Sequence, residues 1–275
     1  MRAATTPLPG FGLGIGILGT ALSLVVLLPI GALIGRGLAM GPAEIAGHLG
    51  STRVMSALAL SFRAALVASA FNLVFGLALA WVLTRYRFAG RRLIDAAVDL
   101  PFALPTAVAG IALTALYAPT GPFGSVLGAA GIKVIYTEAG IWLALIFVGL
   151  PFVVRTVQPV IDEIDPEWEE ASATLGATRL RTLRRVVLPT LMPALTTGFA
   201  LSLARAVGEY GSVIFIAGNL PKLTEIAPLL IVIKLEEYDY DAASAIGLAM
   251  LAISFALLLF INAAQVWSRR RIGHV

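Results

Sequence analysis

The 275 residues contain no cysteine. Disulfides, thiolate nucleophiles and cysteine-based metal sites are therefore excluded, and nothing follows about redox compartment. Histidine is nearly as scarce. His48 lies in a loop between apolar runs and His274 at the tail, neither beside a nucleophile or a ligand cluster. No Gly-x-x-x-x-Gly-Lys-Ser/Thr phosphate loop, no Gly-x-Ser-x-Gly and no His-Glu-x-x-His occurs. The usual parts of an ATPase, a serine hydrolase or a zinc protease are missing, so no catalytic, cofactor-binding or metal-binding residue is assigned. Charge is sparse too: Asp, Glu, Lys and Arg make up 13% of the chain, against about 25% in ordinary soluble domains. Too few charges remain to build a solvated surface, and a water-soluble enzyme is excluded.

What the chain has is hydrocarbon. Hydrophobic residues account for 59%, and the mean hydropathy is +0.91 because they come in long runs. A helix needs about 20 apolar residues to cross a bilayer. That ruler predicts an all-α, six-span membrane protein forming one domain over 1–275, with crossings at 11–35, 62–84, 98–118, 139–157, 190–217 and 243–267. The first run, preceded by Arg2, exceeds the roughly 7–15 apolar residues of a signal-peptide core and is expected to be a retained span. Its glycines at 10, 12, 14 and 16 have the spacing that permits close helix packing.

The basic residues set an orientation. Arg2, Arg85, Arg87, Arg91, Arg92, Arg155, Arg179, Arg181, Arg184, Arg185, Arg269, Arg270 and Arg271 fall on one side of the six-span scheme. Arg36, Arg53, Arg63, Lys133, Lys222 and Lys234 fall on the other, and Arg205 lies within the fifth span. Cytoplasmic loops are enriched in Lys and Arg, so both termini are expected in the cytoplasm. The net charge of +4 reads the same way, as loop charge beside a lipid bilayer and not as a nucleic-acid surface. After span five, the short apolar run Ile226–Ile233, with Pro221 before it and Pro228 within it, predicts an interfacial or re-entrant segment on the outside.

The loop over about 158–189 is sharply patterned. Asp162, Glu163, Asp165, Glu167, Glu169 and Glu170 precede Arg179, Arg181, Arg184 and Arg185. Asp165-Pro166 reads as N-cap and first helical position. Trp168, Ala171 and Leu175 share one face, and Gly176 stands where a helix C-terminus favours glycine. Thr178 can cap a second helix, with Leu180, Leu183 and Val187 on one face, and Pro189 is expected to interrupt before span five. The acidic half argues against a loop resting on anionic headgroups, so docking into a protein groove is favoured.

Glu170-Ala171-Ser172, three residues, Gly176, nine residues, Val186-x-Leu188-Pro189 resembles the Glu-Ala-Ala loop of ABC importer permeases, departing at Ser172 for Ala and Val186 for Ile. Further stretches, DLPFALPTAVAG (99–110), PFVVRTVQP (151–159), LGATR (175–179) and GEYGSVIFIAG (208–218), resemble T-type subunits of sulfate/thiosulfate permeases. The similarity runs from about residue 60 to the end. It implies a MetI-like, type I importer permease in a bacterial inner membrane, whose loop docks on a separate ATPase. The implied complex holds this chain, a W-type partner permease, two ATP-binding cassette subunits that bind ATP and Mg, and a periplasmic sulfate/thiosulfate-binding protein. Permeases for molybdate or another oxyanion share the loop and form the alternative. A stand-alone secondary transporter is a second rival, although no internal repeat is visible.

Arg205 and Glu209 are the ionisable residues placed deep in a predicted span. Each costs roughly 2.5–3.5 kcal/mol at a helix centre, so both should face protein or water. Four residues apart, they can pair, with Gly208 and Gly211 beside them to admit another helix. They are the candidates for lining or gating an anion route, with a purely structural ion pair the equal alternative.

Overall fold

The computed structural model describes residues 11–272. Arg2, Gly10 and His274 lie outside the described residues, as do the side chains of Arg269, Arg270 and Arg271. The described chain is helical with no strand. In order it forms α1 (Phe11–Leu22), α2 (Leu28–Met40), α3 (Pro42–Leu49), α4 (Thr52–Arg85), α5 (Arg91–Val98), α6 (Leu100–Ala103), α7 (Thr106–Tyr117) and α8 (Pro122–Ala129). There follow α9 (Glu138–Glu163), α10 (Pro166–Thr174), α11 (Arg179–Thr182), α12 (Leu188–Val207), α13 (Val213–Ala217), α14 (Ala227–Glu236) and α15 (Tyr240–Ile272).

Among the described residues, five helices are long and apolar enough to cross a membrane: Phe11–Met40, Thr52–Arg85, Glu138–Glu163, Arg179–Val207 and Tyr240–Ala263. The first joins α1 to α2 through a π-helical turn at Ser23–Leu27, and the fourth joins α11 to α12 through another at Leu183–Val187. Each π turn runs straight into a Leu-Pro pair, Leu28-Pro29 and Leu188-Pro189. Proline lacks an N–H and its ring crowds the carbonyl four residues back. The wider turn, closed by Leu28 N–H to the Ser23 carbonyl and Leu188 N–H to the Leu183 carbonyl, absorbs that misfit. Pro189 therefore does not interrupt the chain before the fifth span, as its sequence context suggests; the loop's second helix continues into that span.

Two expected crossings are broken. The third, 98–118, holds the end of α5 and the two short helices α6 and α7, with Pro105 preceding α7 and forcing Leu104 into an extended conformation (ψ 134°). The fifth ends at Val207, ten residues before the expected limit, and α13 resumes after a turn at 208–212. The apolar run expected to be too short to cross is found as the short helix α14, which buries Ala227, Leu229 and Leu230 and packs on α4 and α15.

At the centre, α4, α9 and α12 pack on one another. One apolar cluster joins Ala64, Ala68, Ile141, Leu145, Leu203 and Ile216, and a second joins Ala80, Leu83, Val153, Val157, Val187 and Leu191. Between them in sequence on the three helices lie Asn72, Gly149 and Ser202. In contrast, α1 buries no residue, and a Cβ at Gly12, Gly14 or Gly16 would meet nothing within 4 Å. Gly12, Gly14 and Gly16 thus pack against nothing among the described residues. The other end of this helix is tied down: Arg36 donates to Asp241 of α15 at 3.1 and 2.9 Å, and Gly37 lies against Leu248.

Candidate functional site

The loop folds from local signals. Asp165 accepts the Glu167 N–H at 2.9 Å, capping α10 behind Pro166. Its other end is a Schellman turn. Gly176, at φ 77°, donates to the Ala173 carbonyl at 2.9 Å, and Ala177 donates to that of Ser172 at 3.0 Å. A side chain at 176 has open space, with nothing within 4 Å, so the demand for glycine is conformational. Thr178 sits at the N-cap of α11 but makes no side-chain cap bond.

The two faces of α10 differ. Trp168 (49% exposed) and Leu175 (88%) stand out with Ala171 on a free face. Glu169, Glu170 and Ala173 line a cavity toward α4. Ser172 donates back to the Trp168 carbonyl at 2.8 Å, while Val186, Leu188 and Pro189 are half-buried at the root of the fifth span. Glu169 pairs with Arg85 at the end of α4 at 3.0 Å, and Arg85 also lies over the Trp81 ring, 5.3 Å from its centroid. The loop is thus fastened to α4 on one face and bare on the other.

Arg205 and Glu209 do pair, but not within one helix. Glu209 lies beyond the end of α12, in the break before α13. It is 3% exposed, and its second oxygen accepts from the Ser212 N–H at 2.8 Å and the Ser212 hydroxyl at 2.9 Å. The carboxylate therefore organises the turn between two half-helices. That turn rests on the other broken span. A Cβ on Gly211 would fall 2.2 Å from Thr106 Oγ1, and one on Gly110 would fall 2.4 Å from the Ser212 carbonyl oxygen. Gly208, by contrast, has no neighbour nearer than its own Ala204 carbonyl at 3.9 Å. Two interrupted helices meet at one point, and half-helix ends within a bundle are where irregular backbone can face a cavity instead of lipid.

Three polar clusters escape the sequence reading. Glu225, 1% exposed, receives two hydrogen bonds from Arg53, at 2.8 and 2.6 Å. Asn72, fully buried, donates to Ser202 Oγ at 3.2 Å beside Gly149, where a Cβ would come within 2.6 Å of both side chains. Arg155 binds Asp99 through two nitrogens at 2.8 and 2.6 Å and Asp95 at 2.7 Å, and Gln158 accepts from Arg155 at 2.7 Å and donates to Asp95 at 3.1 Å. Burial works against the charged form of Asp95, but hydrogen bonds from Gln158 and Arg155 outweigh it and hold the carboxyl below the ordinary aspartate range. A lone arginine or asparagine inside an apolar run was the available signal for two of them; Glu225 sits in the loop between α13 and α14, which carries none. Among the described residues no group of three His, Asp or Glu could hold a metal ion.

Comparisons with known proteins agree with this architecture. Residues 72–274 match the family of binding-protein-dependent transport system inner membrane components. The chain is 52% identical over 268 residues to the sulfate transport system permease protein CysT of Salmonella typhimurium, covering 97% of each. It is 46% identical over 250 residues to that of Synechocystis, covering 90% of this chain and 87% of the relative. Among solved structures, a bacterial ABC transporter that imports alginate superposes with a TM-score of 0.76 over 96% of this chain and 97% of the other, at 18% identity. The methionine transporter MetNI in an inward-facing form gives 0.56 over 80% and 96%, at 21% identity. These last two share the fold.

Proposed function

The chain belongs to the binding-protein-dependent transport inner membrane family, and from that premise we propose that it is the T-type membrane subunit of an ATP-driven importer of sulfate and thiosulfate. As an inner-membrane permease it works with an ATPase and a binding protein; the finer composition proposed is two ATPase subunits, a W-type partner permease and a sulfate/thiosulfate-binding protein. The substrate class rests on the sulfate permeases with which it shares about half its residues. Both termini are proposed to lie in the cytoplasm, on the strength of the basic loops.

One observation carries the mechanism. The helix that leaves the Gly176 turn is the helix that ends beside Glu209. Arg179–Val207 is continuous over 29 residues, about 44 Å at 1.5 Å per residue. An ATPase gripping the bare face of α10 would move one end of a stiff rod whose other end carries Arg205. Partner closure on ATP would thereby reach the point where the two broken spans cross. There Arg205, with 32% of its side chain exposed, offers the positive charge that a divalent anion requires. Glu209 neutralises it when no anion is present.

The transporter purified with co-expressed partners tests this reading. Sulfate-loaded binding protein should stimulate ATP hydrolysis, and molybdate should not substitute for sulfate. No stimulation by sulfate, or stimulation by molybdate alone, overturns the substrate assignment. Arg205→Ala should stop uptake while the assembled complex keeps its basal hydrolysis. A complex that fails to assemble would make the pair structural, and unimpaired uptake would remove both roles.

A further inference from the structure

A cavity of about 1140 Å³ lies between the loop-side half of α4 and the α10–α12 segment, and its two ends differ in chemistry. One end is hydrocarbon: Val74, Leu77, Ala78 and Trp81 of α4 face Leu188 and Leu191 of α12. Wall residues Val74 (72%), Val82 (39%) and Leu183 (42%) are exposed, so the space is a groove open to the side. The other end is polar, with Tyr86, Arg87, Glu170 and Arg179. Glu169 there is already occupied by Arg85, whereas Arg87 and Arg179 are exposed and enter no ion pair among the described residues. With Glu170, the unpaired charges at this end sum to +1.

We propose that this groove holds one phospholipid with an anionic headgroup, drawn from the leaflet on the loop side. From Val74 to Tyr86 is 12 residues of helix, about 18 Å, close to half of the roughly 30 Å hydrocarbon core. An acyl chain lies along α4 with Tyr86 at headgroup depth, where amphipathic rings collect. The phosphate sits between Arg87 and Arg179, which a neighbouring apolar helix would leave unengaged and a phosphate satisfies with charge-assisted bonds. A soluble ligand is disfavoured because the apolar wall belongs to a membrane-crossing helix. The occupant touches Glu170 and Ala173, so it braces α10 against α4. That last consequence rests on the coupling role proposed above; the lipid site does not.

The intact transporter, in nanodiscs of phosphatidylcholine with or without phosphatidylglycerol, followed by native mass spectrometry after mild detergent release, tests the site. About one phosphatidylglycerol per copy of this chain should be retained. Arg87→Gln with Arg179→Gln should lower that retention about tenfold, as expected for losing charge-assisted bonds. Ala78→Trp, which fills the hydrocarbon end and leaves both guanidinia, should lower it as well. Equal retention by the double variant, or equal retention of phosphatidylcholine, overturns the proposal. So does a cysteine at Leu77 that cross-links to a helix of the partner permease, because protein would then fill the groove. Retained lipid with an ATP hydrolysis rate indifferent to phosphatidylglycerol would leave the site standing and remove only the bracing of α10.

Discussion

Arg53 and Glu225, 172 residues apart, form a two-pronged pair in which the carboxylate is 1% exposed and the guanidinium side chain 37%. The N-terminal half of α4 is fastened a second way: Ser61 donates to the Ala57 carbonyl and accepts the Ala227 N–H, each at 2.8 Å. Ser61 thus satisfies a free N–H at the start of α14 from another helix.

Removing one partner of a buried pair costs about 3–5 kcal/mol, because it strands the other, whereas exposed pairs are worth about 0–1 kcal/mol. Arg53→Ala should therefore lower the thermal stability of the detergent-purified complex far more than Arg63→Ala. The Arg63 pair with Glu138 is 63% and 28% exposed. The double variant Arg53→Ala, Glu225→Ala should recover part of the loss. Equal losses from the two single variants would show that burial of Glu225 does not govern the pair.

Two glycines in polar surroundings should respond differently to alanine. At Gly149 the new methyl would press on Asn72 and Ser202 at 2.6 Å, while at Gly208 it meets nothing closer than 3.9 Å. Overpacking costs about 1–3 kcal/mol, so Gly149→Ala should shift unfolding downward and Gly208→Ala should not. A melting curve for each variant decides this; a harmless Gly149→Ala would mean the Asn72 layer is loosely packed.

At Gly176 the strain is in the backbone. Non-glycine residues at positive φ cost about 1–3 kcal/mol, β-branched ones most. Gly176→Val should leave the chain inserted but abolish ATPase association and uptake, and Gly176→Asn should keep much of both. Glu170→Lys should be milder, because Glu170 is exposed on α10 past its first turn and enters no ion pair among the described residues. Co-purification of the ATPase with the Gly176→Val variant would sink the docking role of the loop.

The Asp95 carboxyl predicts a pH effect. Its value is depressed in the folded chain, so its stabilisation is present above the ordinary aspartate pKa of about 3.9 and is lost as pH falls through the depressed value. Between pH 5 and pH 3, Asp95→Asn should show a shallower loss of thermal stability than the parent, having lost that contribution already at pH 7. Parallel slopes would show that the Arg155 cluster does not fasten α5 to α9.

Orientation is testable without background, since the chain has no cysteine. A cysteine replacing exposed Thr178 should react with impermeant thiol reagents only from the cytoplasmic side. One replacing Leu223, 68% exposed, should react only from outside. The reverse pattern would invert the proposed topology.

The sequence by itself determined what depends on neighbours along the chain. Long apolar runs must become helices in lipid, because each backbone polar group needs a partner within its own segment. Asp165-Pro166 and Gly176 likewise placed both ends of α10, since caps and turns use bonds over two to five residues. Leu188-Pro189 marked the right place but misled about its outcome: proline excludes an ordinary helical turn, and a π turn satisfies that constraint without a break. Tertiary structure alone decided where the third and fifth spans stop. Gly110 and Gly211 are informative only once the two broken segments touch through them, because apolar runs of 98–118 and 190–217 are long enough to be read as whole helices. The same holds for Glu209, legible as a partner of Arg205 from its spacing but not as the residue that ties Ser212 into the break. For Arg53 with Glu225 and Asn72 with Ser202, separations of 172 and 130 residues leave no periodicity to read. Only the packing of α4 against its neighbours brings those polar groups together, and the cost of leaving a buried polar group unpaired holds them there.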